Sequence, residues 1–162
     1  MIIVGIDPGY AIVGVGIVKY EKNKLSMIEY GAITTNAHTK TTQRLNIIYE
    51  KINSVFDEYK PDAVAIEELF FNNNAKTAIM VAQARGVLLV AAANKGIPVY
   101  EYTPLQIKQA ITGYGRADKN QMQNMVKLLL NLNVIPKPDD AADALAVGIC
   151  HAYSFNANSE TV

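Results

Sequence analysis

The first 34 residues carry three apolar runs of strand length, and the rest of the chain alternates such runs with stripes at helical spacing. Ile2-Ile3-Val4-Gly5-Ile6 is continuously apolar up to Asp7, the pattern of a central strand covered on both faces. Residues 12–20 interleave apolar side chains with glycine, and residues 25–34 form a third run. Pro8-Gly9 and Glu21-Lys22-Asn23-Lys24 supply the turns, so the pattern predicts an antiparallel meander. From Thr42 the period lengthens. Leu45, Ile48, Ile52, Val55 and Phe56 share one helical stripe, with Glu50, Lys51, Asp57 and Glu58 opposite, and Pro61 ends the helix. Residues 63–66 predict a short buried strand, 75–94 a long alanine-rich helix closed by Gly96, and 97–102 another strand. Pro104 opens a helix to Ile111, Asp118 or Lys119 opens one to about Leu130, and Pro138-Asp139 opens the last.

The order β-β-β-α-β-α-β-α-α-α predicts an α/β fold, a mixed sheet with helices on both faces and right-handed parallel connections for the later strands. A chain of 162 residues can bury a core of its own, so residues 1–153 are expected as one domain and 154–162 as a frayed tail. No apolar run near eighteen residues stands out, and no membrane span is expected. The N-terminal run lacks the basic lead and cleavage site of a signal peptide and reads as a strand. Cys150, the single cysteine, has no internal partner, which fits a reducing cytoplasm. Beside His151 it reads as a buried structural residue rather than a nucleophile.

Net charge is zero, from fifteen basic and fifteen acidic residues, a balance that argues weakly against a nucleic-acid partner. Its distribution changes that picture. Residues 72–127 hold seven bases (Lys76, Arg85, Lys95, Lys108, Arg116, Lys119, Lys127) against two acids, Glu101 and Asp118. The acids gather in the flanks, as they must where a carboxylate cluster coexists with a basic track.

Four acids sit in apolar or chain-punctuating surroundings. Asp7 ends the first strand and Glu67 the fourth, and ligands of α/β sheets collect at strand ends. Asp140 and Asp143 lie three apart at the start of the last helix and project from one face. Spacing leaves alternatives open, because Asp139 shares a face with Asp143 equally well and Glu68 stands beside Glu67. Several carboxylates buried together demand a cation, and oxygen donors without histidine or cysteine favour Mg²⁺ or Mn²⁺ over zinc. Two such ions about 3.5–4 Å apart suit phosphodiester hydrolysis. Phe70-Phe71 before Asn72-Asn73-Asn74 places aromatic rings at a turn, where one exposed ring can stack on an unpaired base.

Gly5-Ile6-Asp7-Pro8-Gly9, Ala65-Ile66-Glu67, Gln83-Ala84-Arg85-Gly86 and Asp140-Ala141-Ala142-Asp143-Ala144-Leu145-Ala146 occur in an order that closely resembles the RuvC Holliday junction resolvases. Gly115-Arg116-Ala117-Asp118-Lys119-Asn120-Gln121 is similar to a further family segment, and the likeness runs from Ile3 to about His151. It implies a ribonuclease H-like fold, a five-stranded sheet with three antiparallel and then two parallel strands. It also implies an endonuclease that resolves four-way DNA junctions by paired nicks during recombination and repair. By the same resemblance Asp7, Glu67, Asp140 and Asp143 would bind two Mg²⁺ ions, for which Mn²⁺ would substitute. Lys108 and Lys119 would assist at the scissile phosphate, and Phe70 would stack at the junction centre. Lys76, Arg85 and Arg116 are candidate DNA contacts beside them. The resemblance further implies a homodimer, with the alanine-rich helix as its interface, and a branch-migration helicase complex as partner. Some relatives carry a basic tail, whereas residues 154–162 contain no base. A junction-binding module without catalysis is disfavoured by the intact acids, and an actin-like ATPase would need a second domain.

Overall fold

A computed structural model describes residues 1–69 and 75–155. Phe70, Phe71 and Asn72–Asn74 lie outside the described residues, as do residues 156–162. The expected order of elements is observed: β1 (Ile2–Asp7), β2 (Ile12–Glu21), β3 (Lys24–Thr34), α1 (Thr41–Tyr59), β4 (Ala63–Glu67), α2 (Ala75–Asn94), β5 (Val99–Tyr102), α3 (Pro104–Thr112), α4 (Lys119–Leu129) and α5 (Asp139–Ser154). The strands form one sheet in the order β3-β2-β1-β4-β5. β1, β2 and β3 pair antiparallel, while β4 runs parallel to β1 and β5 parallel to β4. This is the mixed five-stranded sheet that the sequence pattern predicts.

Side-chain alternation divides the core between the two faces of the sheet. Val4, Ile6, Val15, Val64 and Ile66 face the apolar stripe of α1 and the inner edge of α2, where Ile48, Ile52, Phe56 and Leu88 are fully buried. Ile3, Val18 and Ala65 face the other way, onto α3, α4 and α5. α5 is the most deeply placed helix, with buried residues in an almost unbroken run from Ala141 to Ala152. A helix apolar all round must be covered on every side, and the sheet, α3 and α4 do so.

Three details differ from the sequence reading. β5 begins at Val99 rather than Ile97, because the Ile97 N–H closes the C-terminus of α2 on Ala92 and Pro98 has no N–H for the ladder. α5 extends through Ser154, and Phe155 packs edge-on against Tyr100 with ring centroids 5.7 Å apart, so the packed unit outruns residue 153. Residues Lys76–Asn94 of α2 are in fact long and apolar enough to cross a membrane by length and composition alone. Lys76, Gln83 and Arg85 interrupt the stretch and keep it from reading as one apolar run. Arg85, half-way along this helix, pairs with Glu101 of β5.

Cys150 is fully buried, and burial pushes its thiol up to about 11, as suits a packing residue. His151 beside it is also fully buried. Its Nδ1 shares a hydrogen bond of 2.7 Å with the Tyr102 hydroxyl, while Nε2 has no partner. Burial holds the imidazole down at about 4, so it folds neutral. The unfolded chain binds that proton more readily, near pH 6.5, so the stability this residue supports is present above pH 6.5 and drains as pH falls toward 4. Between pH 7 and pH 5 the loss amounts to about 2 kcal/mol. Other groups titrate over the same range, so the effect is read as a difference. In urea denaturation the stability gap between the unsubstituted chain and His151→Gln should shift by about this amount between the two pH values, against the unsubstituted chain at pH 5.

Candidate active site

The site begins with glycine. Gly5 of β1 and Gly14 and Gly16 of β2 turn the same face of the sheet toward α5. A Cβ on Gly5 would overlap the carbonyl oxygen of Ala144, and one on Gly14 the carbonyl oxygen of Asp140. A Cβ on Gly16 would stand 2.7 Å from the Leu145 nitrogen. Backbone therefore lies on backbone, and the N-terminal turn of α5 is pressed against the strand ends. Asp7 is paired across the ladder with Gly14 and ends β1, and Glu67 ends the adjacent parallel strand β4. Helix and sheet so deliver Asp7, Glu67, Asp140 and Asp143 to one place.

Their electrostatics shows that proximity. Burial, followed by repulsion from Glu67, Asp143 and Asp140, pushes the Asp7 carboxyl up to about 7. Burial and then Asp143 raise Glu67, against the pull of Lys108. Burial also raises Asp143, while Lys119 opposes it. Asp139 stands apart: hydrogen bonding to Lys137 leads the causes that hold its carboxyl down at about 2. Of the alternatives that spacing left open, Asp140 is the one that couples to Asp7.

Beside the carboxylates lies a cleft of about 230 Å³, lined by Glu67, Lys108, Lys119 and Asp143 with Pro104, Ile107, Met122 and Ala146. α3 brings Lys108, and its start is fixed by Pro104 and a capping box between Thr103 and Gln106. α4 brings Lys119 as its first residue, after an Asp118–Gln121 capping box. The Lys119 ammonium lies 3.3 Å from Asp143 Oδ2 and 3.4 Å from Asp139 Oδ2. Burial works against its charge, but Asp143 and Asp139 outweigh that and raise its pKa.

All the donors here are hard oxygens, and three of the carboxylates are held above their ordinary range by burial and one another. That donor set fits divalent cations of the Mg²⁺ class. Among the described residues no group of three or more His, Cys, Asp or Glu is disposed to hold a metal ion. Lys119 supplies positive charge on the Asp143 side.

The other candidate contacts fall elsewhere. Arg85 pairs with Glu101 and ties α2 to β5, its Nε buried without a partner. Lys76 and Arg116 are exposed, at the start of α2 and in the loop before α4.

A family model described as "Crossover junction endodeoxyribonuclease RuvC" matches residues 3–151. The chain belongs to the RuvC family. A protein of that description from Alkaliphilus metalliredigens is 62% identical over 154 residues, covering 95% of this chain and 94% of the relative. Among solved structures, Thermus thermophilus RuvC superposes with a TM-score of 0.92 at 35% identity, covering all of both chains. A second structure, T. thermophilus RuvC in complex with a Holliday junction substrate, gives 0.91 at 33% identity. The family resemblance read from the motifs is thus borne out along nearly the whole chain.

Two contributors to the site escaped the sequence reading. Gly14 and Gly16 were legible only as interruptions in β2, although their spacing of two marks one face given over to close packing. Arg44 of α1 is buried without an acid partner among the described residues. It lies 3.8 Å from the Tyr10 ring centroid and donates to Thr35 Oγ1 at 2.8 Å. Thr35 in turn donates to the Tyr10 carbonyl, so Arg44 braces the turn that follows Asp7.

Adding a methyl group at Gly14 must displace Asp140. Gly14→Ala should cost about 3 kcal/mol in urea denaturation, at the upper end for overpacking against backbone. Gly31→Ala, whose Cβ meets open space on the edge strand, should stay within about 1 kcal/mol of the unsubstituted chain.

Proposed function

We propose that this chain is a metal-dependent endonuclease that resolves four-way DNA junctions by paired symmetric nicks during recombination and repair. One observation carries the reading: half-buried, mutually repelling carboxylates on two strand ends and one helix border a cleft that holds two lysines, in a member of the crossover junction endodeoxyribonuclease family. The Thermus neighbour bound to a Holliday junction substrate supports the choice of DNA.

Asp7, Glu67, Asp140 and Asp143 would hold two Mg²⁺ ions, or Mn²⁺ in their place. When bound, the ions supply Lewis acidity toward the scissile phosphate and its attacking water. The protein's own contribution is geometry and charge. β1 and β4, each paired on both sides, carry two of the ligands, and α5 presents the others from one helical face. Lys108 and Lys119 sit where negative charge builds on the phosphate and stabilise it by position. Ile107, Met122 and Ala146 form the apolar wall that strengthens those interactions by excluding water. Lys76 and Arg116 contact the DNA backbone at the periphery, and Phe70 stacks on an unpaired base at the junction centre.

Paired nicks require two sites on a two-fold axis, and α2 supports a homodimer. Ile79 and Val90 are 61% and 54% exposed, and with Gln83 and Gly86 they repeat at coiled-coil spacing along one outward stripe. A Cβ added at Gly86 would meet no atom within 4 Å, so two copies of the helix can approach closely there. The mid-helix ion pair of Arg85 favours this protein surface over lipid as the cover for α2. We further propose that the enzyme works in the cytoplasm beside a branch-migration helicase complex, a reading that membership of the family supports.

Labelled four-way junctions should be nicked symmetrically with Mg²⁺ and left intact with EDTA, beside uncut linear duplex. Asp7→Asn should lower cleavage at least about a hundredfold while junction affinity changes by less than about threefold. Full activity in that variant would overturn the metal-site reading. Ile79→Glu with Val90→Glu should give a monomer by sedimentation and abolish the pairing of nicks; a dimer that survives both charges places the interface elsewhere.

A further inference from the structure

Lys119 is shared between two carboxylates that stand one turn apart on α5, Asp143 and Asp139. The two acids face different ways. Asp143 lines the cleft and is coupled to Glu67 and Asp7. Asp139 is absent from that lining: its Oδ1 accepts from Lys137 Nζ at 2.6 Å, and its Oδ2 is turned to Lys119. The capping box at Asp118 fixes the backbone of Lys119, but the ammonium hangs on a flexible four-carbon stem that is 56% exposed.

A cation among the carboxylates takes up the charge of Asp143 and repels the ammonium now resting on it. With Asp143 as its sole anchor, Lys119 would have two poor choices. It would compete with the incoming ion for Asp143, or it would swing into solvent once that ion was seated. A second anchor outside the cluster removes the conflict, and Asp139 has the right place, spacing and orientation for it.

We propose that Asp139 is a positioning residue, a tether that keeps Lys119 at the rim of the cleft while Asp143 is surrendered to the metal ion. Lys137 holds Oδ1 of Asp139, Gln123 also stabilises the carboxylate, and Oδ2 lies 3.4 Å from the Lys119 ammonium. The inference rests on the nuclease reading above and assigns a role to an acid that the metal-binding set leaves over.

A double-mutant cycle tests it with Asp139→Asn, Lys119→Ala and the pair, and with Asp139→Glu as the conservative variant. Two readouts are taken: Mn²⁺ binding to the DNA-free protein by electron paramagnetic resonance, and single-turnover cleavage of pre-bound junction at saturating Mg²⁺. Asp139→Asn should slow cleavage about tenfold with junction binding unchanged, the size of one lost charge-assisted contact, and Asp139→Glu should restore most of it. In the Lys119→Ala background the same change should cost less than about twofold. Mn²⁺ binding should weaken on Asp139→Asn more with Lys119 present than without it. Equal losses in both backgrounds, or none in either, overturn the tether and leave Asp139 as a helix-start acid. If the unsubstituted chain binds Mn²⁺ but cuts no junction, the nuclease reading falls and the Mn²⁺ cycle alone decides the tether. No Mn²⁺ binding at all overturns both.

Discussion

Backbone-on-backbone contact between α5 and the sheet governs everything else in this molecule. A helix ordinarily rests on a sheet through a layer of side chains, which keeps its terminal residues well away from the strand ends. Here Gly5, Gly14 and Gly16 remove that layer, and the carbonyl oxygens of Ala144 and Asp140 occupy the vacated space. Gly148 continues the contact, where an added Cβ would stand 3.1 Å from Val18 Cγ2 and 3.7 Å from the Gly5 backbone. Dense packing of this kind transmits small displacements faithfully. The alanines of α5 belong to the same device, since larger side chains would lift the helix off the sheet.

The close approach carries an electrostatic cost that the molecule does not relieve by itself. Four carboxylates converge from β1, β4 and α5, and burial with repulsion drives Asp7 up to about 7. Lys119 and Lys108 offset part of that charge without filling the site. A protein selected for stability alone would replace one of these acids, because uncompensated buried charge is among the most expensive features a fold can keep. The arrangement makes sense as a site prepared for cations, with stability given up for affinity and reactivity.

Much of this was legible along the chain, and the exceptions have identifiable causes. Element order followed from period, because strands of four or more residues and amphipathic helices write distinct repeats. The pattern starts β5 too early because Ile97 is β-branched and apolar, yet its N–H is spent on Ala92 at the end of α2. α2 hid its character: apolar residues fall on every side of it and give no stripe, and its exposed Ile79 and Val90 emerge only when the sheet and α1 have claimed the other face. Arg85 counted as one more base in a basic stretch until its partner Glu101, sixteen residues away, stood across from it.

The sequence by itself determined the order of strands and helices, the family, and which acids end strands or open a helix, since each of these depends on local pattern. Spacing could not separate Asp139 from Asp140, two adjacent acids at one helix start, and the choice of Asp140 came from the family motif alone. The tertiary structure supplies the physical reason, because α5 is seated on glycines more than a hundred residues earlier in the chain. That seating turns Asp140 and Asp143 toward Asp7 and leaves Asp139 to the lysines. Charge tells the same story: a net balance of zero is a property of composition, whereas the pairing of Arg85 and the convergence of Lys108 and Lys119 on one cleft are properties of distance in space.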